Sequence, residues 1–310
     1  RRTSSTLRTS TTRGLAVSSE LMSPGPTAGR RAGVVGKPIG HSLSPVLHEA
    51  AYQALRLSDW TYERIECDED GLPALVAGLG PEWAGLSVTM PGKLVALTIA
   101  AETTERASLV GAANTLVRRP DGSWRADCTD VDGVVGALVY AGQYQATPGG
   151  HAMLLGAGGT GLAAMVALTG LNVDSFALLV RDPSMAGDAL LCAERLGVKA
   201  EVHRWGLADF GQLAADADVV VSTVPAGVAD PYAEELSVAR CVLDVVYHPW
   251  PTRLAAAVQA RGGRIGTGLD MLLHQAFGQV QQFTGQPAPR QEMRDALSAA
   301  TGGALPLPLA

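Results

Sequence analysis

HAMLLGAGGTGLAAMVALTG (151–170) sets an apolar run, a glycine-rich turn and an apolar helical pattern end to end. HAMLL (151–155) is short and almost wholly apolar, as a buried parallel strand is. Gly156, Gly158 and Gly161 satisfy G-x-G-x-x-G, with Ala157, Gly159 and Thr160 filling the turn. The glycine pattern alone is weak, because a chain with 36 glycines produces it by chance. A strand before it and a helix after it make it the phosphate turn of a βαβ unit. The first glycine permits the tight turn and the second lets the backbone approach a pyrophosphate. That group then faces the free N–H groups and positive end of the helix. The competing reading is a packing turn with no ligand.

Working outward, SFALLV (175–180), DVVVST (218–223) and VLDVVY (242–247) are further Val- and Leu-rich strands with helical stretches between them. This is a doubly wound parallel sheet. Upstream, AGVVG (32–36), WTYERIEC (60–67) and GLSVTMPGK (85–93) read as strands. Helical patterns over 45–57 and 71–79 separate them, and Ser44 and Pro45 are expected as N-cap and first helical residue. The fold class is therefore α/β throughout.

The 310 residues carry a net charge of -6 and 47% hydrophobic content, enough for a sizeable core and against a nucleic-acid surface. The longest apolar stretches are broken by Gly, Asp or Arg before a membrane span is complete. Cys67, Cys128, Cys192 and Cys241 form neither a metal cluster nor a disulfide framework, which suits a reducing cytoplasm, and no metal is expected. The first thirty residues hold five arginines, twelve Ser/Thr and one acid. That composition resembles a transit peptide. We read residues 1–31 instead as a disordered or over-extended N-terminus, with Met22 as a natural start.

After SFALLV come Arg181 and Asp182, where the adenosine ribose is read. An acid there binds the 2′-hydroxyl of NAD and an arginine accommodates the 2′-phosphate of NADP. Both are present, and the cofactor stays open between the two. Of 24 basic residues only Lys37, Lys93 and Lys199 are lysines. Lys93 closes SVTMPGK, GAANT supplies Asn114, and DCTDVDG supplies Asp127, Asp130 and Asp132. Each has a dull reading as surface charge, turn residue or helix cap, with Asp132 the best cap candidate.

GKPIGHSLSP (36–45), SVTMPGK, GAANT, DCTDVDG, GAGGTG and GLDMLLHQA (268–276) occur in that order and resemble the shikimate dehydrogenase family. LDVVYHPWPTRL (243–254) resembles its actinobacterial branch in particular. The resemblance covers residues from about 32 to 298, and six motifs together are far more specific than any one. It implies NADPH-dependent reduction of 3-dehydroshikimate to shikimate, a step towards chorismate and the aromatic amino acids, by a cytoplasmic monomer or homodimer. It implies a substrate-binding domain over 32–129 completed by helices over 268–299, a nucleotide domain over 130–267 and a flexible tail over 300–310.

By the same resemblance Lys93 and Asp130 are the catalytic pair. Ser42 and Ser44, aided by Tyr247, bind the substrate carboxylate, and Thr89, Asn114 and Gln275 bind its hydroxyls. Gly156 to Gly161, Arg181, Val245 and Gly268 line the cofactor. The pairing makes chemical sense, because a carbonyl that accepts hydride becomes an alkoxide and needs a proton or positive charge beside it. Lysine supplies either, and arginine, which does not give up its proton, is a poor substitute.

Four positions depart from the family pattern. Ser87 stands for Asn, Cys128 replaces the Asn that precedes Thr129 and Asp130, His48-Glu49 replaces His-Asn, and Val180-Arg181-Asp182 replaces Asn-Arg-Thr. The last weakens the expectation of NADP, since Asp182 repels a 2′-phosphate and no second basic residue is obvious nearby. The rivals are an NAD-preferring quinate/shikimate dehydrogenase and a non-catalytic nucleotide-binding paralogue.

Overall fold

The computed structural model describes residues 29–309, so the reading of the N-terminal extension lies outside the described residues up to residue 28. Among the described residues twelve strands form two sheets. The first holds β1 (Arg31–Gly36), β2 (Thr61–Glu66), β3 (Trp83–Val88), β4 (Glu102–Thr103), β5 (Thr115–Arg118) and β6 (Trp124–Asp127). Their order is β2-β1-β3-β5-β6-β4, parallel through β2-β1-β3 and antiparallel at β3-β5 and β5-β6. The helices α1 (Ser44–Ala54), α2 (Leu72–Ala77), α3 (Lys93–Ile99) and α4 (Glu105–Val110) connect them, and α5 (Asp130–Gly136) leads out of β6.

The second sheet holds β7 (Gly150–Leu155), β8 (Val173–Val180), β9 (Lys199–Arg204), β10 (Val219–Ser222), β11 (Cys241–Asp244) and β12 (Arg264–Thr267), all parallel. Its helices are α6 (Gly159–Gly170), α7 (Gly187–Leu196), α8 (Phe210–Asp216), α9 (Ala233–Leu236) and α10 (Arg253–Ala260). The order β12-β11-β10-β7-β8-β9 reverses direction between β7 and β10, the switch point where doubly wound sheets bind ligands. Both faces are covered, which is why these strands read as unbroken apolar runs. Leu154 and Leu178 pack with Leu162, Met165 and Leu168 on one side, while Met153, Leu155 and Leu179 pack with Phe210, Leu236 and Leu254 on the other.

Two long helices, α11 (Gly268–Thr284) and α12 (Arg290–Ala300), return the chain to the first sheet. Thr267 and Asp270 start α11 with a reciprocal capping box, the Thr267 side chain accepting from the Asp270 N–H and the Asp270 carboxylate from the Thr267 N–H. α11 lies along α5 on a seam of glycines. A Cβ at Gly133 would come within 2.6 Å of the Met271 carbonyl oxygen, and one at Gly136 would overlap the His274 ring. The seam ties the two sheets together and aims one face of α11 between them.

Two local expectations are corrected here. The helix cap expected of Ser44 is absent, because Ser44 is already helical; instead Ser42 Oγ accepts from the Ser44 N–H at 3.3 Å. The tail expected to be flexible over 300–310 is exposed over 302–304 but packs through Leu305, Leu307 and Leu309. Leu307 is fully buried against α1, α11 and α12, and the Pro308 carbonyl lies 3.1 Å from His274 Nε2.

Candidate active site

A cleft of about 330 Å³ opens where the carboxyl ends of β1, β3 and β7 approach α11. Eleven of the expected site residues line it: Lys93 and Asp130; Ser42, Ser44, Thr89, Asn114, Tyr247 and Gln275; and Thr160, Val245 and Gly268. They come from both sheets and from α11, so the site exists only once the glycine seam has closed. Gly156, Ala157, Gly158, Gly159, Gly161 and Arg181 lie beyond that lining, along the turn after β7 and at the end of β8.

Lys93 opens α3 and Asp130 opens α5, and the chain brings them into a buried ion pair with Nζ 2.5 Å from Oδ2. The exposures are 14% and 7%, so screening by water is weak. Burial pulls the Lys93 pKa down, but the charge and hydrogen bond of Asp130 prevail and hold it above the usual lysine range. Lys93 is thus an ammonium at neutral pH. Asn114 fixes the other carboxylate oxygen, donating through Nδ2 to Asp130 Oδ1 at 2.9 Å, and its own Oδ1 accepts from the Thr129 N–H at 2.7 Å.

A second buried network forms the cleft floor. Tyr62 OH donates to Ser87 Oγ at 2.7 Å, and Ser87 Oγ donates to Gln279 Oε1 at 2.7 Å. Gln279 Nε2 then donates to the Asn114 carbonyl at 3.1 Å and Thr115 Oγ1 at 3.0 Å. His48 stacks on Tyr62 and faces Gln279, and burial lowers its pKa to about 3 against a smaller upward pull from Gln279. It stays neutral at any working pH. Burial likewise pushes the Tyr247 phenol up.

Sequence reasoning missed Gln279 and Tyr62. Gln279 had only a weak signal: it lies one turn beyond Gln275 on the same face of a helix that carries several other polar residues. The departure at Ser87 is also accounted for, because its hydroxyl both accepts and donates in this chain. At the Cys128 departure, the neighbouring Asp127 is firmly held, and its Oδ1 accepts from the Cys128 N–H at 2.8 Å. Its carboxylate takes bidentate bonds from Arg106 at 2.6 and 2.5 Å and one from Gln282 at 2.7 Å. Against the cost of burial these bonds hold its pKa at about 2. Asp132 does not cap α5 as expected; it pairs with Arg106 at 2.7 Å.

The glycine turn fits a dinucleotide. Gly156 has φ of 97°, a conformation that glycine alone adopts freely, and a Cβ on Gly161 would lie 2.5 Å from the Gly156 carbonyl oxygen. A Cβ on Gly158 would meet nothing within 4 Å, so the space before α6 is open, and no side chain caps that helix. Its first N–H groups face that space, as an anion site requires. Asp182 is engaged locally: its Oδ1 accepts from the Ser184 N–H at 3.0 Å, capping a short turn over Pro183–Ala186. Among the described residues no group of three or more His, Cys, Asp or Glu is arranged to hold a metal ion.

Comparison with known proteins identifies relatives of this chain. Residues 34–116 match the family model described as the shikimate dehydrogenase substrate binding domain, and residues 268–297 match the shikimate 5'-dehydrogenase C-terminal domain. A shikimate dehydrogenase (NADP(+)) of Microcystis aeruginosa is 33% identical over 283 residues, covering 86% of this chain and 95% of that protein. The crystal structure of Mycobacterium tuberculosis shikimate dehydrogenase is 53% identical with a TM-score of 0.81, covering 87% of this chain and 99% of that one. A quinate dehydrogenase from Corynebacterium glutamicum, solved in complex with NAD, is 28% identical with a TM-score of 0.77, covering 87% of this chain and 99% of that one. The similarity spans both sheets and the returning helices, and the chain belongs to the shikimate dehydrogenase family.

Proposed function

We propose that this chain catalyses the reversible, NADPH-dependent reduction of 3-dehydroshikimate to shikimate. The observation that carries the reading is the placement of the Lys93–Asp130 pair against the nucleotide turn. A Cβ on Gly159 would lie 3.5 Å from Lys93 Cδ, and Lys93 Nζ is 3.4 Å from Thr160 Oγ1. A charged proton donor thus borders both the substrate cleft and the cofactor turn. The unit of 32–129 with helices 268–299 holds substrate, and the unit of 130–267 holds cofactor.

Bound NADPH supplies the hydride. Lys93 directs its ammonium at the ketone oxygen, stabilises the charge that develops there and passes a proton from Nζ to the alkoxide. Asp130 keeps Nζ in place, and its ion pair preserves the protonated form. Asn114 holds Asp130 from behind. Ser42, Ser44 and Tyr247 receive the carboxylate, while Thr89, Asn114 and Gln275 receive hydroxyls. A polar ring demands that many matched partners, since each unpaired buried group costs affinity. Oxidation of shikimate runs the same steps backwards.

NADP is favoured over NAD because the Asp182 carboxylate is turned to its own chain, which leaves Arg181 as the residue offered to the ribose. The intact Lys93–Asp130 pair opposes a purely binding role. Four free cysteines suit a cytoplasmic enzyme. The test is Lys93→Ala. Turnover should fall by about 10²–10⁴ while the shikimate dissociation constant changes only a few-fold. Turnover that survives, or a loss confined to binding, would remove Lys93 from the chemistry.

A further inference from the structure

Sequence inspection finds one cation, Arg181, for the cofactor's ribose; the sheet register supplies another. β8 and β9 are parallel neighbours, and Val180 is the Cα partner of Arg204. Arg204 therefore ends its strand level with the last residue of β8, and Arg181 follows one step on. Adjacent strands lie about 4.8 Å apart, so Arg204 and Arg181, the residue after Val180, both stand at the carboxyl ends of neighbouring strands. Twenty-two residues lie between them in sequence, which hides the pairing from motif reading.

Both arginines are exposed, and among the described residues neither side chain makes an ion pair or hydrogen bond. Like charges gathered at one sheet edge repel, and an anion shared between them removes that cost. The same arrangement answers the objection from Asp182. The Ser184 backbone and hydroxyl, followed by the charge of Arg204, hold that carboxyl below its usual range. Arg204 thus offsets the nearby acid that would otherwise repel a phosphate.

We propose that Arg204 is the second cation of a 2′-phosphate site, joining Arg181 to grip the phosphomonoester on the adenosine ribose of NADP. Planar guanidinium groups suit phosphate oxygens, and two of them give the recognition that one exposed arginine lacks. The assignment rests on the NADPH reading above.

Calorimetric titration with adenosine 2′,5′-bisphosphate and with 5′-AMP tests it, because the two probes differ only in the 2′-phosphate. The wild-type chain should prefer the bisphosphate. Arg204→Gln should weaken that probe about tenfold or more, the size of a lost charge-assisted hydrogen bond, and leave 5′-AMP unchanged. Arg204→Lys should recover part of the loss. If Arg204→Gln binds the bisphosphate like wild type while Arg181→Gln does not, the inference fails and the NADPH reading stands. Equal weakening of both probes would also overturn it. If the wild-type chain does not distinguish the probes, the inference and the NADP preference fall together, while shikimate turnover with NAD would survive.

Discussion

Replacing Asp130 by asparagine keeps the shape of the site and removes one charge. Two opposed influences act on Lys93: burial lowers its pKa, and Asp130 raises it. With Asp130→Asn the first remains and the second is gone, and the new amide nitrogen can be turned towards Nζ while the amide oxygen still accepts from Asn114. Breaking a buried pair costs about 3–5 kcal/mol if the remaining charge stays. Lysine can avoid that cost by releasing its proton, so the Lys93 pKa falls below the ordinary lysine range. Dehydroshikimate reduction needs the protonated form. Its kcat should fall by about 10²–10⁴, the usual contribution of a positioned acid, and the basic limb of the kcat profile should move to lower pH. Initial rates of reduction across pH at saturating ketone and NADPH measure both. A variant whose basic limb stays put, or which alters KM alone, would refute the reasoning that Asp130 acts through the Lys93 proton.

Three further outcomes follow from packing and charge. Gly136→Ala drives a methyl group into the His274 ring; overpacking of this kind costs about 1–3 kcal/mol, seen as a lower urea midpoint, and by displacing α11 it should raise KM for shikimate. Leu307→Ala should destabilise by about 2–5 kcal/mol as a buried leucine does, whereas an effect below about 0.5 kcal/mol would mean that the tail is frayed after all. Asp127, with a pKa near 2 against an ordinary 3.8, stabilises the fold above about pH 4 by on the order of 2 kcal/mol. That contribution is lost as pH falls through about 2, so Arg106→Gln should reduce it and flatten stability over pH 4 to 2 in denaturant titrations.

The parts of this molecule that were legible in its sequence are those where local chemistry and function coincide. The turn at 156–161 needs glycine for its own backbone, and the flanking strand and helix announce themselves by composition. Lys93 and Asp130 stood out through joint occurrence with other motifs. What stayed hidden depends on contacts between distant segments. Gln279 reads as one more polar residue on α11 until that helix lies across β3 and β5 and meets Ser87 and Thr115. Asp132 has the spacing of a cap, yet Arg106 reaches it from α4. Arg204 is an ordinary strand-end residue until register sets it opposite Val180, one residue before Arg181. The tail fails for a related reason: Leu305, Leu307 and Leu309 look like a short apolar end, and only the groove beside α1, α11 and α12 gives them a place.

The central claim is that the cleft joins shikimate chemistry to NADP. Its most direct measurement is the initial rate of nicotinamide reduction by the full chain, with shikimate or quinate as donor and NADP or NAD as acceptor. Shikimate with NADP should give the highest kcat/KM of the four combinations, and Lys93→Ala should abolish nearly all of it. No turnover with any pair in folded protein, or a clear preference for quinate with NAD, would contradict the account.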